Sequence, residues 1–292
     1  MLPARTVVLT SLAMLAFAGN SVLCRVALAQ TGIDPASFTS IRLASGAVVL
    51  WLVVRLVVRL TRQGQSGGGS WGSALALFGY AACFSFAYVS LTAATGALLL
   101  FGAVQATMIG HGLRAGERFT RWQVAGLVLA LGGLVGLLLP GLAAPPLGGA
   151  LLMMAAGVAW GVYSLRGKGA GDPTRVTAGN FLRAVPLALG LSLLMRALGD
   201  TRVDAAGVWL AVLSGAGASA IGYAIWYTAL PALKATSAAT VQLSVPVLAT
   251  LGGILWLGEA VSPRLVLASV AILGGIALVI LEKKKAAGAA SR

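Results

Sequence analysis

The sequence predicts an all-α membrane protein: ten transmembrane helices arranged as two inverted five-helix repeats. Three observations carry this. Of 292 residues, 59% are hydrophobic and only 10% charged, with a mean hydropathy of +0.94, whereas soluble domains carry about 25% charged residues and need polar cover. The apolar residues form ten segments of spanning length. The two halves of the chain also repeat each other in order.

A spanning helix takes about 20 mostly apolar residues, and the segments are bounded by turn and cap signals. The first, 6–28, follows Arg5. The second, 36–58, opens after Asp34-Pro35. The third, 71–89, follows the Gly67–Gly69 run, and the fourth, 94–113, comes after a short break. The fifth, 121–139, is stopped by Pro140, and the sixth, 147–165, opens behind Pro145-Pro146. The seventh, 174–196, opens after Asp172-Pro173, and the eighth, 206–229, ends before Pro231. The ninth covers 236–256, and the tenth, 263–281, starts at Ser262-Pro263. Connections are short, so no soluble domain is expected.

The first segment has one alternative reading. Arg5 before an apolar run and the small residues of Ala27-Leu28-Ala29 resemble a secretory signal peptide. The run exceeds a usual h-region and holds Asn20 and Arg25, so a retained helix is expected.

The net charge of +14 in a soluble protein would suggest nucleic-acid binding. In a membrane protein, basic residues mark the cytoplasmic loops. Ten spans put both termini on one side. That side collects 15 basic residues, among them Arg55, Arg59, Arg114, Arg121, Arg166, Lys234 and the Lys283–Lys285 tail; the other collects Arg196, Arg202 and Arg264. Arg25, Arg42 and Arg183 lie within apolar segments. Both termini are therefore expected in the cytoplasm, with the lipid bilayer as a partner and no nucleic acid.

A shift of 141 places Arg25 on Arg166 and Arg42 on Arg183, each pair bracketing an Asp-Pro. A shift of 139 places Phe84, Tyr88 and Leu91 on Tyr223, Tyr227 and Leu230. A shift of 142 places Gly110, Gly116-Glu117 and Gly132-Gly133 on Gly252, Gly258-Glu259 and Gly274-Gly275. The repeats are 1–140 and 141–292, the second carrying the basic tail. Five spans is an odd number, so the second copy enters the membrane from the opposite face. Inverted repeats characterise secondary transporters, which bind solutes near the midplane between the halves; retention of an old duplication for stability alone is the other reading.

The five-plus-five repeat, the Gly-Glu that closes the fourth span of each half, and Pro246 in the ninth span resemble the drug/metabolite transporter superfamily, EamA type. Residues 18–25, Ala-Gly-Asn-Ser-Val-Leu-Cys-Arg, followed by Arg42, resemble its bacterial amino-acid and metabolite exporters; Val104 stands where the partner of Pro246 falls. The resemblance covers about 6–281 and implies ten helices around a central cavity. It also implies export of small metabolites, most directly amino acids, across the inner membrane by alternating access; a monomer is the expected state, with an oligomer as the open alternative.

Charges at membrane depth are costly and so are functional candidates. Arg42 and Arg183 fall toward opposite mouths, with Arg25 and Arg166 at matching ends of spans one and six. A guanidinium can hold a carboxylate by two hydrogen bonds; snorkelling or pairing with loop carbonyls is the alternative. No carboxylate lies mid-membrane, which argues against proton exchange for cationic drugs. Glu117 and Glu259 are expected to bond helix ends or loop arginines, and His111 to sit at the interface, a proton carrier being its other reading.

Neutral polar and aromatic residues fill the middle. Asn20, Tyr80, Phe84, Tyr88, Gln105, Trp160, Tyr163, Tyr223, Trp226, Tyr227 and Gln242, with Arg25, Arg42 and Arg183, form the candidate binding or gating set; Asn180 is a further mid-membrane polar residue. Tyr80, Phe84 and Tyr88 are spaced by four and share a helix face. They line a pocket or pack against lipid and neighbouring helices. Gly132/Gly136, Ala271/Gly275 and the Ser214/Ala218/Gly222 row are expected to let helices approach, and Pro186 and Pro246 to kink spans seven and nine.

Cys24 and Cys83 both fall in apolar stretches and His111 is the single histidine. A disulfide framework, a metal site and a cofactor are not expected. Without a His/acid or Cys/His pairing or a phosphate loop, an enzyme is disfavoured, and so is a channel without a filter motif.

Overall fold

The computed structural model describes residues 4–61, 68–116, 119–139, 144–167, 171–199, 201–233 and 241–290. Among these residues the chain forms ten helices and no strands: α1 (Ala4–Gln30), α2 (Pro35–Thr61), α3 (Trp71–Tyr88), α4 (Ala93–Arg114), α5 (Arg121–Leu138), α6 (Leu147–Arg166), α7 (Pro173–Ala197), α8 (Ala205–Ala229), α9 (Ser244–Leu257) and α10 (Pro263–Ala290). Nine are long and apolar enough to cross a bilayer. The fold is that of a ten-helix membrane protein.

The helix starts follow from local chemistry. Asp34 Oδ1 accepts from the N–H groups of Ala36 and Ser37, and Asp172 Oδ1 accepts from Arg175 N at 2.7 Å. In both cases proline follows the cap, where its missing N–H costs nothing. Ser70, Thr92 and Ser262 cap α3, α4 and α10, and Thr120 with Gln123 forms a capping box on α5. Each cap is worth about 1 kcal/mol.

The ninth span is described from residue 241 onward. Its helix begins at Ser244 after a turn of helix at 241–242, and 236–240 lie outside the described residues. Leu243 at this break keeps right-handed helical backbone angles, and the N–H that Pro246 lacks is the one that would reach the Gln242 carbonyl, so the interruption is the loosening expected of a proline in this span. Pro186 lies inside α7, which continues as one helix from Pro173 to Ala197.

Within α8, residues Leu213–Ile221 form a π-helix flanked by α-helical turns. Ser214 and Gly222 of the predicted row both meet α1, Ser214 through Asn20, and the wider winding adds Gly215 to the contacts of this helix. Gly215 comes closest to α2: a Cβ there would run into the carbonyl of Arg42 and the Ser45 hydroxyl. Gly222 packs on Ala16 of α1.

Helix α5 packs along α10, α3 against α6 and α7, α2 against α7 and α8, α4 against α6 and α9, and α1 against α8 and α9. On the α5–α10 seam the small residues are Gly126 and Gly133, facing Gly275 and Ala271. A Cβ at Gly132 or Gly136 would meet nothing within 4 Å, so the close helix approach is corrected by one position: it is Gly133, not Gly132, that turns toward α10. Outward surfaces are apolar, and Trp51, Trp71, Trp122, Trp209 and Trp256 are exposed there. Tryptophan favours bilayer interfaces. The other two tryptophans, Trp160 and Trp226, face inward.

Candidate binding cavity

A cavity of about 470 Å³ lies between α1, α3, α4, α6, α7 and α8. Its deep end is formed by Asn20, Ser21, Tyr80, Phe84 and Ser219, all in helix middles. From there it runs past Trp160, Tyr163, Thr177 and Tyr223 to Gly167, Pro173, Leu233 and Gln242. These last residues lie at helix ends on the face where α1 starts and α10 finishes, the terminal face. The cavity thus reaches from mid-bilayer toward one face only.

Aromatic rings make the wall. Trp160 stands 4.8 Å from Tyr80, 5.3 Å from Tyr163 and 5.2 Å from Tyr223 between ring centroids, and Phe17 contacts Tyr223 and Trp226 edge-on. Such contacts add about 0.5–1.5 kcal/mol each beyond area burial and fix the ring faces. Tyr80 and Tyr223 come from opposite halves of the chain, and each contacts Trp160.

The polar end is organised around Arg42, seven residues into α2 and only 1% exposed. Its Nη2 donates to the Tyr80 hydroxyl at 3.0 Å and its Nε to Ser219 Oγ at 3.3 Å. Its guanidinium lies over the rings of Tyr80 and Phe84 at 5.2 and 5.0 Å. Arg42 Nη1 is buried and, among the described residues, has no hydrogen-bond partner. No carboxylate of a described residue stands within ion-pair distance of Arg42. Asn20 Nδ2 donates to the Tyr80 hydroxyl at 3.4 Å, while its Oδ1 accepts from Ser214 Oγ at 2.6 Å.

The π-helix makes this arrangement possible. Ser214 and Ser219 are five residues apart, a spacing that an α-helix would rotate by roughly 140°. Here both serines point to the α1–α2 side, one to Asn20 and one to Arg42. Helices wound this way recur at functional sites.

On the face opposite the cavity mouth the helices are fastened together. Arg25 Nε pairs with Glu259 Oε1 at 3.1 Å, and Arg25 Nη1 donates to the carbonyls of Tyr88 and Val89. Glu259 Oε2 accepts from Ala93 N at 2.8 Å. Gly258 places Glu259 there: its φ of 63° ends α9 with a left-handed turn that suits glycine. Asp34 joins the loop before α8 by bonds to and from the Arg202 backbone. Below Glu259, Tyr88 is fully buried.

Of the fourteen sequence candidates, ten line the cavity: Asn20, Tyr80, Phe84, Gln105, Trp160, Tyr163, Tyr223, Trp226, Tyr227 and Gln242. Tyr88 and Arg25 belong to the closed face instead. Arg42 is not at a mouth, as its position in span two suggested; it is sealed behind Tyr80, Phe84 and Ser219. Arg183 is partly exposed and donates to the carbonyls of Gly179 and Gly68, the loop-carbonyl alternative. Arg166 bonds Ser73 Oγ at 3.2 Å. Glu259 bonds a helix end and an arginine as expected, Glu117 lies outside the described residues, and His111 is exposed at the end of α4. Among the described residues no His/Cys/Asp/Glu group is arranged to hold a metal, and both cysteines are free.

Phe17, Ser21, Thr177 and Ser219 line the cavity without having been singled out. Ser219 had a signal: the 139-residue shift that aligns Phe84 with Tyr223 also places Tyr80 on Ser219, so the two partners of Arg42 are repeat equivalents.

Residues 147–281 match the EamA-like transporter family. A protein of Pseudomonas aeruginosa, described as "Uncharacterized protein PA1977", is 58% identical over 279 residues, 96% of each chain. An Archaeoglobus fulgidus protein described as "Uncharacterized transporter" is 26% identical, covering 83% of this chain and 86% of its own. A crystal structure of a protein superposes with a TM-score of 0.64 at 23% identity, over 97% of this chain and 99% of that one, and shares the fold.

Proposed function

Because the chain belongs to the EamA-like transporter family, the EamA type of the drug/metabolite transporter superfamily, we propose that it exports small metabolites, amino acids foremost, across a bacterial inner membrane. The observation that carries this is the one-sided cavity. It opens toward the terminal face from mid-bilayer, while the Arg25–Glu259 pair fastens the other face. With both termini in the cytoplasm, as the basic loops favour, this is the state that accepts a solute from inside.

Alternating access needs a second state of similar energy, and two inverted repeats, 1–140 and 141–292, supply one. In support, exchanging α1–α5 with α6–α10 maps each main helix pairing onto another: α3–α6 onto α8–α1, α4–α6 onto α9–α1, and α2–α7 and α5–α10 onto themselves. The sealed Arg42 and the partly exposed Arg183, equivalents under the repeat, then mark the closed and open sides.

Counterflow in proteoliposomes against amino acids, nucleosides, neutral drugs and lipophilic cations, with and without a pH gradient, tests the reading. Saturable counterflow of amino acids supports it. Uptake confined to cations overturns the substrate assignment, and non-saturating flux overturns the carrier mechanism. Export of other neutral or amphipathic solutes is the second reading, favoured by the apolar rings along the wall.

A further inference from the structure

The deep end of the cavity has an uneven stock of hydrogen-bonding groups. Arginine can only donate. Each hydroxyl that Arg42 contacts therefore has its oxygen engaged and its proton left over. Tyr80 Oη takes bonds from Arg42 Nη2 and Asn20 Nδ2, and Ser219 Oγ takes one from Arg42 Nε; among the described residues neither hydroxyl donates a bond in return. The Asn20 carbonyl oxygen is occupied by Ser214 Oγ. Arg42 Nη1, buried and without a partner among the described residues, adds another unused donor. Around Arg42 donors are to spare, the Tyr80, Ser219 and Asn20 oxygens already hold bonds, and a permanent positive charge sits behind them.

We infer that this end of the cavity is a carboxylate subsite, in which the hydroxyls of Tyr80 and Ser219 donate to the anion and Arg42 supplies the charge that polarises them. The inference rests on the transporter reading and narrows it. The acid group of the solute is what the site recognises, and an α-amino group is not required. No acidic residue lines the cavity to pair with an ammonium. The rest of the wall, Trp160, Tyr163 and Tyr223, is aromatic, which fits an acid carried on a flat apolar body. Hydrogen bonds to an ionised acceptor are roughly twice as strong as neutral ones, and they strengthen in a site that excludes water. An uncharged amide of the same shape has no such gain and brings surplus donors of its own.

Equilibrium binding to the full-length protein in nanodiscs, by calorimetry, tests this with three probes on one ring: 3-phenylpropionate, 3-phenylpropionamide and phenethylamine. The acid is expected to bind at least about tenfold more tightly than the amide, with the amine weakest. Tyr80→Phe, which keeps the ring and removes the hydroxyl, should lose about tenfold for the acid and leave the amide unchanged. Ser219→Ala should act in the same direction. These two variants stand in for Arg42→Gln, whose effect on folding would obscure its effect on binding. Equal affinities for acid and amide, a preference for the amine, or no saturable binding of the acid at millimolar concentration would each overturn the subsite. Counterflow keeps the two readings apart. Saturable counterflow of neutral solutes with no acid preference leaves the transporter standing and removes the subsite. Tight acid binding with no counterflow of any solute does the reverse.

Discussion

Arg25 and Glu259 hold each other at 3.1 Å although 234 positions separate them in the chain. Their side chains are only 18% and 10% exposed, and both also bind backbone of the α3–α4 connection, so the pair draws three parts of the closed face together.

Glu259→Gln should therefore favour opening of that face. Removing one member of a largely buried pair costs about 2 kcal/mol, or about 30-fold in an equilibrium. In a Cys24→Ala/Cys83→Ala background, Ser21→Cys lies at the deep end of the cavity. A membrane-impermeant maleimide added outside intact cells should leave it unlabelled until Glu259→Gln is introduced. Equal labelling with and without that change would assign the pair to stability alone.

Gly215 measures the contact between the π-helix and α2. Gly215→Ala places a Cβ against the Arg42 carbonyl and Ser45 and should cost about 1–3 kcal/mol. Gly217→Ala, two residues on, meets nothing within 4 Å and should leave the thermal midpoint in detergent within error of the parent.

The α5–α10 seam gives a second matched pair. Gly133→Val forces its side chain into Ala271 and Ile272, whereas Gly132→Val points into open space. The first should lower the melting temperature and the yield of monodisperse protein, and the second should not. An equal effect of both would restore the pairing read from the sequence.

Trp160 touches rings from both halves, Tyr80 and Tyr223. Trp160→Ala should raise the apparent KM for an aromatic solute by about tenfold, the equivalent of two such ring contacts. Trp160→Phe should recover part of the loss. Counterflow at a series of solute concentrations reads both values.

Orientation is testable by fusion. Alkaline phosphatase joined after Gly199 should be active outside the cell, and joined after Ala290 inactive, as both termini in the cytoplasm require.

The helices and much of the cavity were legible in the sequence because each has a local cause. Asp34-Pro35 and Asp172-Pro173 specify caps by themselves, and the spacing of Tyr80 and Phe84 fixes their shared face. What was not legible depends on winding and rotation. A π-helix at Leu213–Ile221 has no signature in its residues, so nothing local marks Ser219, and only the 139-residue repeat points to it. Gly132 and Gly133 are adjacent, and only the packed structure decides which one faces α10. Arg42 lay in the right helix, but its depth depends on α3 and α8 closing over it, contacts that span 38 and 177 positions of sequence.

Arg42 also has an electrical consequence. A guanidinium that keeps its charge, buried with no countercharge among the described residues, makes the centre of the empty carrier positive and the centre of the acid-loaded carrier neutral. The membrane field acts on whatever net charge crosses it, at about 2.3 kcal/mol per elementary charge per 100 mV. Over a full cycle one negative charge leaves with a monoanion, the field acting on the inward return of the positive empty carrier, whereas a zwitterion moves no net charge. The polarisation of the membrane would then speed the exit of simple acids and leave amino acids to their concentration gradients.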